Sequence, residues 1–159
     1  MQNNIVLGVD PGFDRIGVAV LNKDKVLFSH CIQTTKKSSH EKRLFEIGSE
    51  IAKIVKKYNP TDLAIESLFF NQSVTNALRV AEARGVIIYE ATLAGLDVFE
   101  YSPQAIKIAV TGYGKASKDQ VETMVRKLVK IDKTEKKKLD DEVDAIALCI
   151  THLASKKGI

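Results

Sequence analysis

The sequence predicts an α/β fold: a mixed five-stranded sheet with helices on both faces. Three observations predict it. Three β-type runs follow one another with no helix between them. Helical-period segments then alternate with two further short β-runs. Two of the five runs end in a lone carboxylate, as strands do when they carry a site at their ends. With 159 residues, 45% of them apolar and 28% charged, residues 1–159 read as one domain with a single sizeable core.

The first run is "VLGVDPGFDRIG", residues 6 to 17. Val6, Leu7 and Val9 favour a packed, extended backbone, so a carboxylate at the run's end must be hydrated, paired or bound to a cation. Pro11-Gly12 makes a turn directly after Asp10, and an aspartate before such a turn often bonds only to turn amides. A second apolar run follows it (Ile16, Val18, Ala19, Val20, Leu21), which makes a hairpin with Asp10 at its mouth. Residues 26 to 33, "VLFSHCIQ", supply the third strand.

"TTKKSSH" is a polar loop, and Ser38-x-x-Glu41 is expected to cap the first long helix as a capping box. Leu44, Ile47, Ile51, Ile54, Val55 and Tyr58 continue it at helical spacing up to Asn59-Pro60. "DLAIE" is a short strand, residues 73 to 94 an alanine-rich helix, and "LDVFEY" the fifth strand. Ser102-Pro103 starts a helix with proline at its tolerated first position. Ser117-x-x-Gln120 caps another, which carries Val121, Met124, Val125, Leu128 and Val129. Leu139, Val143, Ile146, Ile150 and Leu153 predict a last helix over roughly residues 138 to 156.

"LAIE" repeats the arrangement of the first strand, with Glu66 at its end. If the two strands are neighbours, Asp10 and Glu66 meet. In "DDEVDA", Asp141 and Asp144 are three apart on the last helix and share a face, while periodicity leaves Asp140 open as well. Acids gathered without arginines repel one another, which favours raised pKa values or bound cations. Hard oxygen ligands suit magnesium or manganese, and a pair of such ions serves in-line displacement at a phosphodiester. From Lys107 to Lys138 ten basic residues stand against four acidic ones, which fits either a polyanion-binding face or a solvated helix and loop. Cys31 and Cys149 lie in apolar surroundings without metal-ligand spacing and read as reduced core residues. Neither a signal-peptide h-region nor a bilayer-length apolar run is present, so a cytoplasmic protein with no membrane partner is expected.

Four segments together carry a specific resemblance: "LGVDPGFDRIGVAVL", "LAIESLFFNQSVTNALRVAEARGV", "FEYSPQAIKIAVTGYGKASKDQV" and "DEVDAIALCITH". In this order, over nearly the whole chain, they resemble the RuvC family of crossover junction endodeoxyribonucleases, Holliday junction resolvases with a ribonuclease H-like fold. The resemblance implies that Asp10, Glu66, Asp141 and Asp144 are the catalytic acids and hold two Mg²⁺ ions, with Mn²⁺ able to substitute. Asp140 becomes a bystander. Lys107 and Lys118 match the lysines that meet DNA phosphates, and Phe69 matches the aromatic at the junction centre, with Phe70 beside it as the competing register. A four-way DNA junction, a homodimer and a branch-migration motor complex in the nucleoid are the implied partners.

Two other readings compete. A YqgF-like nuclease acting on RNA is disfavoured by the GYGKASKDQV segment. An ATP-binding protein of the actin and sugar kinase type shares D-x-G before a hairpin but needs two domains.

Overall fold

Alternation with period two sorts the strands into two faces, and the helices distribute themselves accordingly. The computed structural model describes residues 4–68, 73–131 and 140–157. Strands β1 (Ile5–Asp10), β2 (Arg15–Asn22) and β3 (Lys25–Gln33) form an antiparallel meander. Helix α1 (His40–Tyr58) leads to β4 (Asp62–Glu66), which lies parallel to β1. Helix α2 (Val74–Leu93) leads to β5 (Asp97–Tyr101), parallel to β4. Helices α3 (Pro103–Thr111), α4 (Lys118–Leu128) and α5 (Asp140–Lys157) complete the described chain. The sheet order is β3-β2-β1-β4-β5, so the expected mixed sheet is present, with β1 at its centre.

Leu7, Val9, Ile16, Val18, Leu63 and Ile65 point to one face, where they pack with Ile47, Ile51, Ala83 and Ile87 of α1 and α2. Val6, Ala19, Leu21 and Ala64 point to the other, against Ile106, Val125, Ile146 and Cys149 of α3, α4 and α5. Parity then decides where the strand-end acids go. Asp10 has the parity of Val6 and Gly8, and Glu66 that of Ala64, so both belong to the face covered by α5.

That face is built for close approach. A Cβ on Gly8 would sit 2.3 Å from the Ala145 carbonyl oxygen and 2.6 Å from Cys149 Sγ; one on Gly17 would sit 1.9 Å from the Asp141 carbonyl oxygen. The backbone of α5 therefore rests directly on the two strands. Its far end is anchored by a buried polar group: Asp62 Oδ2 accepts from Lys156 Nζ at 2.6 Å and lies 3.1 Å from His152 Nε2, whose Nδ1 is 2.8 Å from the Tyr101 hydroxyl. Burial pushes the Asp62 carboxyl up, but the bonds from Lys156 and His152 outweigh it and hold the carboxyl below its ordinary value. Cys31 and Cys149 are both buried and free, as expected.

The helix ends agree with their sequence signals with one exception. Ser102 caps α3 with Pro103 in its first turn, and Ser117 and Gln120 form both halves of the expected capping box on α4. The box at Ser38 and Glu41 is corrected. The cap of α1 is Ser39, one residue later, which puts Lys42 where a reciprocal acid is required; Glu41 instead accepts a bond from the Ser39 hydroxyl. Helix α1 stops at the Asn-Pro pair as expected, with Asn59 in the left-handed conformation at its C-cap. Helix α5 begins at Asp140, and Leu139 lies outside the described residues. No described helix is long and apolar enough to cross a membrane.

The glycine contacts set a test of the packing. Gly17→Ala must displace the first turn of α5 and is expected to cost about 1 to 3 kcal/mol of stability, the usual penalty of overpacking. Gly85→Ala, in the middle of α2 with no atom within 4 Å of its would-be Cβ, should instead gain about 0.4 to 1 kcal/mol. Urea unfolding of both variants checks the contrast.

Candidate active site

Strands β1 and β4 run parallel with Val9 beside Ile65, so the next residue along each, Asp10 and Glu66, stand side by side where the strands end. Crowded there, the two carboxyls resist ionising together, and the Asp10 carboxyl is the one pushed up. Burial is the largest cause, followed by the bond to Glu66 and the charges of Glu66, Asp144 and Asp141; together they push the Asp10 carboxyl up to about 9.

Helix α5 brings its acids over these strand ends. Asp144 lines the same cavity of about 290 Å³ as Asp10 and Glu66, together with Lys107 from α3 and Lys118 from α4. Apolar Pro103, Ile106, Val121, Ala147 and Leu148 form the rest of its wall, so the charged groups are set in an apolar lining. Burial raises the Asp144 carboxyl to about 6, with Lys118 opposing and Glu66, Asp141 and Asp140 adding to the rise. Lys118 Nζ lies 3.8 Å from Asp144 and 3.4 Å from Asp140. Asp140 is the more exposed of the two and does not line the cavity.

Asp141 is placed differently from the other three predicted acids. It lies close enough to add to the charge on Asp10, yet its Oδ2 is held by Arg15 Nη2 at 2.6 Å and by the Cys31 thiol at 3.5 Å. Among the described residues no three His, Cys, Asp or Glu side chains close round one point. The donor set nevertheless fits a hard divalent cation: oxygen ligands only, crowded so that the Asp10 and Asp144 carboxyls are pushed up, with two side-chain cations, Lys118 and Arg15, beside them.

Two supporting residues were not singled out from the sequence. Arg84 of α2 donates from Nε to the Glu66 carbonyl oxygen at 3.2 Å, and its Nη2 lies 2.6 Å from Glu100 Oε1, which fixes the end of β4 from behind. Its signal was the A-R-G of "AEARGV". Arg15 was visible only as one charge in a turn. Of the basic stretch, Arg126 pairs with Glu122 and Lys130 with Asp24, each at 2.8 Å, so part of it is internally neutralised. Phe69 and Phe70 lie outside the described residues, as do Lys133, Lys136, Lys137 and Lys138.

The family model for crossover junction endodeoxyribonuclease RuvC matches residues 6–152. The crossover junction endodeoxyribonucleases RuvC of Halothermothrix orenii and Heliobacterium modesticaldum are each 41% identical, over 93% of this chain and 91% and 94% of their own lengths. Thermus thermophilus RuvC in complex with Holliday junction substrate superposes with a TM-score of 0.90 at 26% identity, over 97% of this chain and 95% of that one. The yeast mitochondrial Holliday junction resolvase Ydc2 shares the fold at 13% identity and a TM-score of 0.68.

The raised carboxyls make stability depend on pH with a definite sign. The folded, cation-free chain keeps a proton on Asp10 up to about pH 9, whereas the unfolded chain releases it near 3.8. This contribution to stability is complete below the lower value and is lost as pH rises through the higher one. In EDTA the melting temperature should therefore fall between about pH 5 and about pH 9. Asp10→Asn should flatten that fall and melt higher than wild type at the alkaline end. A melting temperature of wild type independent of pH over this range contradicts the protonated pair.

Proposed function

The chain belongs to the RuvC family of crossover junction endodeoxyribonucleases, and from that premise we propose that it resolves Holliday junctions by paired symmetric nicks at a site where Asp10, Glu66, Asp141 and Asp144 hold two Mg²⁺ ions. The observation that carries the reading is geometric: Asp10 and Glu66, at the ends of two parallel neighbouring strands, line one cavity with Asp144 and Lys118. Carboxylates crowded in this way favour a bound divalent cation. Mg²⁺ or Mn²⁺ held by these acids would supply an activated water and charge neutralisation for hydrolysis, in which water attacks phosphorus and the P–O3′ bond breaks, giving a 5′-phosphate and a 3′-hydroxyl.

The chain's own groups divide the remaining work. Lys107 and Lys118 line the cavity, which supports a role for both in meeting the negative oxygens of a phosphate entering it. Arg84 keeps the end of β4, and with it Glu66, in register. Phe69, just beyond Glu66 in the sequence, is proposed by family resemblance to stack on a base at the junction centre, where linear duplex offers none.

A junction is nearly two-fold symmetric, so paired nicks call for a symmetric pair of sites. The exposed face of α2 supports a homodimer. Val74, Leu78, Tyr89 and Leu93 are all more than half exposed and recur at helical spacing, with the open Gly85 between them. A second copy of this face is the partner assigned to it. Cytoplasmic action in the nucleoid beside a branch-migration motor complex completes the proposal.

Asp10→Asn, Glu66→Gln or Asp144→Asn should abolish cleavage of an immobile four-way junction while leaving binding intact or tighter, because each removes negative charge near phosphates. Asp140→Asn should cleave nearly as wild type. Lys107→Ala and Lys118→Ala should slow single-turnover cleavage more than they weaken binding. Full activity of Asp10→Asn in Mg²⁺ refutes the assignment of the acids.

Leu78→Glu combined with Tyr89→Glu should convert a dimer to a monomer in sedimentation velocity and turn paired nicks into single ones on a supercoiled cruciform plasmid. An unchanged dimer moves the interface elsewhere.

A further inference from the structure

Three of the four predicted acids line the cavity, and the fourth, Asp141, is tied to a residue of another element. Arg15 opens β2 with the parity of Gly17 and Ala19, so its side chain belongs to the face beneath α5. Gly17 lets the first turn of α5 come down onto β2, and this descent puts Asp141 within 2.6 Å of the Arg15 guanidinium. The pair is not sealed in. Half of the Arg15 side chain is exposed, and the Asp141 that it holds is near enough to Asp10 and Asp144 for its charge to raise both carboxyls.

A guanidinium this close to a cation ligand has two effects. It occupies a lone-pair direction of Asp141 Oδ2, and its charge repels an incoming divalent ion. A phosphate competes for the same guanidinium, which grips either anion by the same forked geometry. We propose that Arg15 is a positioning residue that latches Asp141: in the DNA-free chain it holds Asp141 away from the cation site, and on a bound junction it transfers to a backbone phosphate and releases the acid.

The latch rests on the reading of Asp141 as a cation ligand. It makes cation binding and junction binding mutually favourable, since each draws one partner out of the Arg15–Asp141 pair. Half-exposed ion pairs are weak, so the effect on cation affinity is modest, about two- to fivefold.

The test uses the whole protein without cleavage. Mg²⁺ binding to DNA-free protein is measured by calorimetry for wild type, Arg15→Gln, Asp141→Asn and the double variant. Binding to an immobile four-way junction in EDTA is measured across a salt series for wild type, Arg15→Gln and Arg15→Lys. Arg15→Gln should bind Mg²⁺ about two- to fivefold more tightly, and this gain should vanish in the Asp141→Asn background. The same variant should bind the junction more weakly, with a slope of log affinity against log salt smaller by about one, whereas Arg15→Lys should keep the wild-type slope.

Equal or weaker Mg²⁺ binding by Arg15→Gln overturns the latch and makes Arg15 a fixed support for Asp141. An unchanged salt slope overturns the transfer to phosphate. If Asp141→Asn alone leaves Mg²⁺ binding untouched, the assignment of Asp141 as a ligand fails first and the latch with it; weakened Mg²⁺ binding there, with no change in Arg15→Gln, removes the latch and keeps the ligand. Thermal melts of each variant at acid pH in EDTA establish that it is folded.

Discussion

The site depends on one steric constraint: the backbone of α5 lies directly on β1 and β2, at glycines where no side chain intervenes. Helices usually pack on sheets through a layer of side chains on both sides. At Gly8 and Gly17 that layer is absent on the strand side, so the first turns of α5 reach the level of the strand ends. Asp144 thereby enters the cavity of Asp10 and Glu66, and Asp141 meets Arg15. Side chains at either position would lift the helix and separate the acids that the strands and the helix each contribute.

This constraint forces like charges together, and the fold tolerates it in three ways. Burial and the neighbouring acids push the Asp10 carboxyl up, Asp144 lies near Lys118, and Asp141 is held by Arg15. Each device is reversible at low cost. A carboxyl proton can be released, and exposed lysine and arginine can move from carboxylate to phosphate. A cluster fully neutralised by buried arginines would be more stable and could not accept a cation; stability is here given up for binding capacity.

The two ends of α5 carry opposite chemistry. Towards its C-terminus Asp62, His152 and Tyr101 form a buried polar group joined by Lys156, with the Asp62 carboxyl held ionised by its partners. Towards its N-terminus the acids stay only partly compensated. The satisfied end fixes the helix along the sheet, so the repulsion at the other end cannot be relieved by sliding α5 away. Arg84 serves β4 in the same sense by bonding the Glu66 carbonyl oxygen rather than its carboxylate.

The local pattern of the sequence was enough for the strands and the helices, and it set Asp10 and Glu66 apart as strand-end acids. Alternation with period two, Pro-Gly and Asn-Pro punctuation and the Ser117-Gln120 box are signals between near neighbours, and the lone acids of "LGVD" and "LAIE" stand out because an apolar strand has no local use for them. The Ser38 cap erred by one residue because the box pattern favours Ser38, with Glu41 three residues on, whereas the helix starts after Ser39 without a reciprocal box. What the sequence could not contain is the partner of each acid. Asp10 meets Glu66 because β4 inserts beside β1 rather than beside β3, and Asp141 meets Arg15 and Cys31 across more than a hundred residues because Gly17 admits the helix. Those pairings follow from sheet order and from the distance between two layers, quantities that exist only once the whole chain is packed.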